Sequence, residues 1–259
     1  MDTTNESLAK DEIESLRKAL DAETDARLEV QRQLERSNQA FEEFVSASAH
    51  NMRDSLRDVA SNSQLMAETY AGRLDPDGGV MLQRIQQAAV RMQALLSDVV
   101  DYWAAGPDEC QFSRTDMDAV LRQALLCTDS LILERGAVVT HDSLPAVAGD
   151  FAALSKVMHH LLRNAIAYGN ASTPHVHISS RWVDPQWEIS VRDDGPGIDP
   201  EFHARVFSVF KRLHGPERPG NGLGLAFCKK AIEAHGGHIW VESASGAGAA
   251  FFFTLPPPD

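Results

Sequence analysis

Asp193-Asp194-Gly195-Pro196-Gly197 and Gly220-Asn221-Gly222-Leu223-Gly224-Leu225, preceded by Asn164 in a helical stretch, are residue types that together can hold a nucleotide. A carboxylate between a strand and a double-glycine turn can accept a hydrogen bond from an adenine amino group, while Gly195 and Gly197 let the backbone approach the ring. Gly220, Gly222, Leu223 and Gly224 open an apolar helix, whose free N–H groups and positive dipole end suit phosphate. Asn164 offers a hard oxygen ligand for Mg²⁺, a cation that usually keeps several waters. Any one glycine pair more often makes a turn than a ligand site. Three elements in fixed order, each at the boundary where its chemistry needs it, favour the nucleotide. Between the glycine runs lie Lys211, Arg212, His214 and Arg218, in a stretch with Pro216 and Pro219 that reads as a lid. Cations there, Arg212 and Arg218 foremost, can neutralise a triphosphate as charge develops in a loose transition state. Phe207 and Phe210 are expected to anchor the lid in the core.

The elements that must carry these residues fall into three segments. Residues 1–40 form a charged helix, with Leu8, Leu16, Leu20, Leu28 and Leu34 at roughly helical intervals; a coiled coil and a solvated helix both fit this pattern. Over residues 41–106, Val45, Ala49, Met52, Leu56, Val59, Ser63 and Met66 recur at alternating steps of four and three, a heptad seam. A second seam follows the turn-forming stretch Gly72–Gly79: Leu82, Ile85, Ala89, Met92, Leu96, Val99 and Trp103. Two helices joined this way make a hairpin with too little surface to bury both stripes, so pairing with a second copy into a four-helix bundle is expected.

Residues 107–259 read as mixed helix and strand. Helices are expected over Asp116–Glu134, over residues reaching Tyr168 from an Asp150 N-cap, and over Leu223–Ala234. Strands are expected over Ala137–His141, His175–Val183, Trp187–Arg192, His238–Glu242 and Ala249–Leu255. The fold class is therefore α+β, a helical hairpin followed by a sandwich with helices on one sheet face.

Asn164-Ala165-Ile166, Asp193-Asp194-Gly195-Pro196-Gly197-Ile198, Arg205-Val206-Phe207-Ser208-Val209-Phe210 and Gly220-Asn221-Gly222-Leu223-Gly224-Leu225 resemble the N, G1, F and G2 boxes of sensor histidine kinases. Phe210-Lys211-Arg212-Leu213-His214 and Gly236-Gly237-His238-Ile239-Trp240-Val241-Glu242-Ser243 are similar to the phytochrome-like branch of that family. The resemblance covers about residues 41–255. It implies an ATP-binding domain of the GHKL (Bergerat) type using ATP and Mg²⁺, with Asp193 reading adenine and Asn164 on the metal. It also implies a homodimer, a response-regulator receiver domain as partner, and either an upstream sensory domain or a sensory partner protein.

In such kinases a histidine on the first bundle helix attacks the γ-phosphorus of ATP and passes the phosphoryl group to an aspartate of a response regulator. His50 holds that position, one residue after the seam residue Ala49, flanking the seam. A neutral imidazole keeps one free lone pair near neutral pH, which suits a nucleophile. The resembling family usually has an acid next in sequence, where this chain has Asn51; Asp54, four residues on, shares the helical face of His50 and can hold its other ring nitrogen. The family proline five residues after the histidine is Ser55, an earlier N-box asparagine is His160, and a commonly basic position is Ala167. These departures imply a slow autokinase, and they keep open a second reading: a degenerate phosphotransfer or docking scaffold. A gyrase-like ATPase would share the pocket and leave His50 and the hairpin unexplained.

Composition excludes other classes. The net charge of −13 disfavours nucleic acid and anionic lipid as partners. Cys110, Cys127 and Cys228 make no CxxC pair and no disulfide framework, as befits a reducing cytoplasm. No apolar run approaches the roughly 18 residues that span a bilayer, and the acidic N-terminus lacks a signal-peptide pattern. His159 and His160, adjacent on a helix, point apart, and the pair in His175-Val176-His177 could share a strand face but lacks a clear third ligand, so both read as ordinary imidazoles.

Overall fold

The computed structural model describes residues 2–70, 73, 75–106, 111–169, 172–212 and 220–258, without the side chains of residues 2–17, 19, 21–22, 34–35, 42–44, 46, 50 and 76. The chain divides into two compact units, Met1–Ser55 and Leu56–Asp259.

The first unit is helical throughout its described residues, as part of helix α1, Asp2–Thr69. No break separates the charged segment from the first seam. Leu20 and Leu28 are exposed, and Arg27 pairs with Glu23 one turn away at 2.9 Å, so in the single chain this is a solvated helix. At Ser55 the helix continues, the hydroxyl donating to Asn51 O at 3.1 Å.

In the second unit, helix α2 spans Pro76–Ala104. It begins inside the segment expected to be turn. Asp75 caps it, Oδ1 accepting from Gly78 N at 2.8 Å, and Pro76 at the first helical position has no N–H to leave unpaired, so the Pro-Asp-Gly-Gly run is the first turn of α2. Ser63, Leu82 and Ala89 are buried, while Val59, Met66, Ile85 and Met92 of the same seams are exposed.

The remaining elements are β1 (Ser113–Asp116), α3 (Met117–Arg135), β2 (Val138–His141), β3 (Ala146–Gly149), α4 (Phe151–Tyr168), β4 (His175–Val183), β5 (Gln186–Asp193), α5 (Gly224–Ala234), β6 (Ile239–Ser243) and β7 (Ala249–Leu255). A five-stranded sheet has the order β2-β4-β5-β7-β6, with β2 parallel to β4 and the other neighbours antiparallel. The expected helices and strands of this region are present with ends shifted by a residue or so. Sequence reading misses β1 and β3, an antiparallel pair, and two 3₁₀ turns, Pro200–Phe202 and Arg205–Phe207.

Alternation along the strands sends Ile189 and Val191 of β5, Phe251 and Phe253 of β7, and Ile239 and Val241 of β6 to one face. Against it pack Leu154, Val157, Met158, Leu161 and Leu162 of α4 with Phe227, Ala231 and Ile232 of α5, recurring at steps of three and four. The opposite face carries Ser179 hydrogen-bonded to Ser190 at 2.8 Å, Arg181 paired with Glu188, and Trp240 stacked on Phe252.

Asp150 fixes where α4 starts. Its Oδ1 accepts from Ala153 N at 2.8 Å and its Oδ2 from Gln111 N at 2.9 Å. His235, at the end of α5, braces the same corner, Nε2 accepting from Asp150 N at 3.0 Å and Nδ1 bonded to Ala231 O at 2.7 Å.

Candidate functional site

The core stripe of α4 leaves another stripe, His160, Arg163, Asn164 and Ala167, on a face that lines a cavity of about 280 Å³. Asp193, Pro196, Gly197 and Ile198 form a second wall after β5. Arg205 and Val206 from the second 3₁₀ turn, Ala249 and Phe251 from β7, and Leu131 from α3 add to the lining. The remaining side comprises Lys211, Arg212, Gly220, Asn221, Gly222 and Gly224, leading into α5. The volume lies near the low end of ordinary small-molecule sites.

At one end, Asp193 Oδ1 accepts from Gly195 N at 2.9 Å and from Ala249 N at 3.1 Å. Burial pushes this carboxyl above its ordinary value of 3.8, the two amides pull against that, and Asp194 adds to the rise. These bonds occupy one oxygen and fix the plane of the group, so the carboxyl is a held hydrogen-bond acceptor. Asp194 is engaged elsewhere, Oδ1 accepting from His175 N at 3.1 Å and Oδ2 facing His175 Nδ1 at 3.2 Å.

The protein's own backbone demands the glycines here. A Cβ at Gly195 would stand 2.6 Å from Tyr168 O, and one at Gly197, where φ is +75°, would stand 2.0 Å from Ala244 O. The turn is thereby pressed against the C-terminal end of α4 on one side and the β6–β7 connection on the other.

At the other end, α5 begins without a side-chain cap, its N-cap residue being Leu223. Free first-turn amides of this kind bind anions. Asn221 spans the entrance: Oδ1 accepts from Leu223 N at 3.2 Å, and Nδ2 donates to Asp98 Oδ2 of α2 at 2.6 Å. Phe210 N donates to Gly222 O at 3.0 Å, closing the base of the intervening segment. That bond comes with a left-handed backbone at Phe210 (φ 59°), whose ring is exposed. The expected core anchor is therefore Phe207 alone, which packs edge-on to Phe251 at 6.3 Å.

His160 faces this same end. A Cβ on Gly224 would lie 2.9 Å from His160 Nδ1, so the ring and the first residue of α5 are in close packing. The imidazole is 6% exposed and its Nδ1 is buried without a hydrogen-bond partner among the described residues. Burial, with Arg163, His159 and Lys156 nearby, lowers its pKa to about 3 and keeps it neutral. Asn164 lies one turn further along α4. From His160 to Tyr168 the helix rises about 12 Å at 1.5 Å per residue, so the cavity suits an elongated ligand with a hydrogen-bond donor at one end and an anionic group at the other.

The structure thus brings Asn164, Asp193, Gly197, Lys211, Arg212, Gly220, Gly222 and Gly224 onto one cavity. Gly195 supports Asp193 from behind, and the Leu223 side chain is buried in the core while its amide meets Asn221. Arg218 lies outside the described residues. His50 is on α1 in the first unit with its side chain outside the described set, and Asp54 is an exposed residue one turn on. Arg163, next to Asn164, escaped the sequence reading, and Arg205, quoted there only within its motif, also lines the cavity. Among the described residues no group of three or more His, Cys, Asp or Glu could hold a metal alone, and no helix is long and apolar enough to cross a membrane.

This donor set fits a magnesium-bound nucleotide. Four cationic side chains, an uncapped helix start and one amide oxygen suit a polyphosphate that brings most of the metal's ligands with it.

Residues 149–259 match the family described as histidine kinase-, DNA gyrase B-, and HSP90-like ATPase. Cyanobacterial phytochrome A from Nostoc sp. is 39% identical over 224 residues, 86% of this chain and 29% of its own length. The adaptive-response sensory kinase SasA from Synechococcus sp. (strain CC9311) is 31% identical over 233 residues, covering 84% of this chain and 57% of its own. The crystal structure of full-length ShkA in complex with AMPPNP aligns with a TM-score of 0.67 at 24% identity, over 83% of this chain and 46% of that one. Histidine kinase ThkA in complex with response regulator protein TrrA aligns with a TM-score of 0.58 at 20% identity, over 87% and 66%. At these identities the structural likeness is one of fold. The chain spans about 30% of the length of the first phytochrome relatives it matches.

Proposed function

We propose that this chain, whose residues 149–259 match the histidine kinase-, DNA gyrase B-, and HSP90-like ATPase family, binds Mg·ATP in the cavity between α4 and α5 and transfers the γ-phosphoryl group to His50, and from there to an aspartate of a response regulator. The observation that carries this reading is the pairing, in one cavity, of the held Asp193 carboxyl with the uncapped start of α5 and the cations around it.

Asp193 accepts from the adenine amino group through the oxygen its two backbone amides leave free. The α5 amides, with Arg163, Lys211, Arg212 and Arg218, hold the phosphates and take up charge as the P–O bond to the leaving ADP lengthens. Asn164 would supply an oxygen to Mg²⁺, which would offset charge on the phosphates. On α1 the lone pair of the His50 imidazole forms the new bond to phosphorus, and Asp54, one turn on, holds the N–H of the other ring nitrogen. Positioning supplies most of the rate.

A homodimer through the α1–α2 hairpin is part of this reading, supported by the apolar seam residues Val59, Met66, Ile85 and Met92 that the single chain leaves exposed. A second reading, a docking scaffold with weak or no autokinase activity, is favoured by Asn51 and by the engagement of Asn221 with Asp98. Titration calorimetry with ADP and Mg²⁺ tests the kinase first, and binding without labelling of His50 by γ-labelled ATP would leave the scaffold. The kinase requires saturable binding, and absence of any heat of binding removes it.

A further inference from the structure

Among the described residues of the second unit, His159, His160 and His235 are wholly or largely buried, and two of them have evident structural partners. His235 bonds through both nitrogens, to Ala231 O at 2.7 Å and Asp150 N at 3.0 Å, and His159 Nδ1 lies 3.2 Å from Thr128 Oγ1. His160 is more deeply buried than His159, lines the cavity, and has a buried Nδ1 with no partner among the described residues. A fold that bonds the Nδ1 atoms of His159 and His235 and leaves that of His160 without a partner among the described residues, at a ligand cavity, has left a donor atom for the ligand.

Its surroundings narrow what that ligand atom is. Asn164 lies four residues on, so the two side chains share one face of α4 and both line the cavity. Arg163 is on the same wall, and Gly224 opens the anion-binding start of α5 against the ring. An imidazole and an amide one helical turn apart on the cavity wall, at the phosphate end of the site, offer nitrogen and oxygen donors to a cation that arrives on the phosphates.

We propose that His160 and Asn164 together ligate the nucleotide-borne divalent cation, and that the imidazole shifts this site's preference from Mg²⁺ toward first-row transition dications. The inference rests on the nucleotide reading of the cavity. Mg²⁺ takes oxygen donors and gives up its waters reluctantly, whereas Mn²⁺ and Co²⁺ accept imidazole nitrogen, Co²⁺ more strongly than Mn²⁺ in the Irving–Williams order. Gly224 contributes by leaving room for the ring, since any side chain there would displace it.

The test uses the full chain, AMPPNP as the probe nucleotide, and Mg²⁺, Mn²⁺ or Co²⁺ as the cation. Calorimetry is expected to give affinities that rise in that order, with Mn²⁺ at least roughly tenfold tighter than Mg²⁺, and a difference that shrinks severalfold in His160→Asn. Electron spin-echo envelope modulation of the Mn²⁺·AMPPNP complex is expected to carry nitrogen coupling that changes when the protein is made with ¹⁵N-labelled histidine, a readout that needs no variant. Equal affinities with all three cations, or modulation that ignores the histidine label, would overturn the metal assignment while leaving the nucleotide site intact. Absence of AMPPNP binding with every cation would overturn both.

Discussion

Asn221 Nδ2 donates to Asp98 Oδ2 at 2.6 Å, joining the glycine-rich entrance of α5 to α2 across 123 residues of sequence. The tie has neighbours. Lys156 Nζ reaches Asp101 Oδ1 at 2.6 Å, and Lys230 Nζ donates to the carbonyls of Tyr102 and Trp103 at 3.0 and 2.9 Å. The last turns of α2, which end without a basic residue, thus receive cations from α4 and α5, as the negative end of a helix dipole favours. Because Asn221 Oδ1 also takes the Leu223 amide, the Asp98 contact holds Asn221 in a pose that occupies an N–H the phosphates would use.

Releasing that pose should favour nucleotide. Asp98→Ala is expected to tighten ADP binding by about three- to tenfold, the scale of one side-chain hydrogen bond. Calorimetry measures it, and an unchanged or weaker affinity would count against competition between Asp98 and phosphate for the start of α5.

Asp193→Asn keeps one oxygen for the Gly195 and Ala249 amides but turns an N–H₂ group toward a ligand amine. ADP affinity should fall by roughly 10- to 100-fold, the cost of a charged hydrogen bond replaced by facing donors, with little change in Tm. Lowering the pH should mimic it in wild type, because burial raises this carboxyl and its protonation removes the acceptor. Full affinity in the variant would mean that Asp193 does not read the base.

Gly197→Ala attacks the turn itself. The added carbon would sit 2.0 Å from Ala244 O on a residue with φ +75°, so backbone must move. A loss of about 2–4 kcal/mol in urea unfolding is expected from strain and overpacking combined. Gly220→Ala is the control for collision, since nothing lies within 4 Å of its added Cβ, though its φ of +129° leaves backbone strain of its own.

Acid should destabilise the second unit through its histidines. Burial, first among the causes, holds the pKa values of His159, His160 and His235 below 6.5 in the folded chain. The unfolded chain therefore takes up protons first. Their contribution to stability is complete above pH 6.5 and declines as pH falls, for His160 until about 3, by up to about 1.4 kcal/mol per pH unit for each such group. Asp193, shifted the other way by burial, takes a proton first in the folded state and offsets part of the loss at the acid end. Urea unfolding at pH 7.5 and 5.5 should differ by at least about 1 kcal/mol, and a flat profile would contradict the burial of these rings.

What sequence alone revealed followed from local chemistry. Asp150 before an apolar-periodic run specified α4, and alternation specified β4, β5 and β7, because caps and periodicities act within a few residues. Strands β1 and β3 escaped because Ser-Arg-Thr-Asp and Ala-Val-Ala-Gly are too short to show a period and pair only through tertiary contact. The same limit hid Asp98 and the packing of Gly224 on His160, both of which depend on α2, α4 and α5 converging. At Gly72–Gly79 composition misled: Pro and Gly suit turns, yet Pro at a first helical position after an aspartate cap starts a helix. The glycines of the cavity were legible as special, but the backbone of Tyr168 and Ala244 packed beside Gly195 and Gly197 is brought there by tertiary contact that no local signal shows.

Phosphorylation of His50 is the most direct measurement. Purified protein incubated with γ-labelled ATP and Mg²⁺ should acquire an acid-labile, base-stable label, slowly because Asn51 stands where an acid is usual, and His50→Ala should abolish the label while still binding ADP. Label that persists in His50→Ala, or a wild-type protein that binds ATP and never acquires label, would contradict the account.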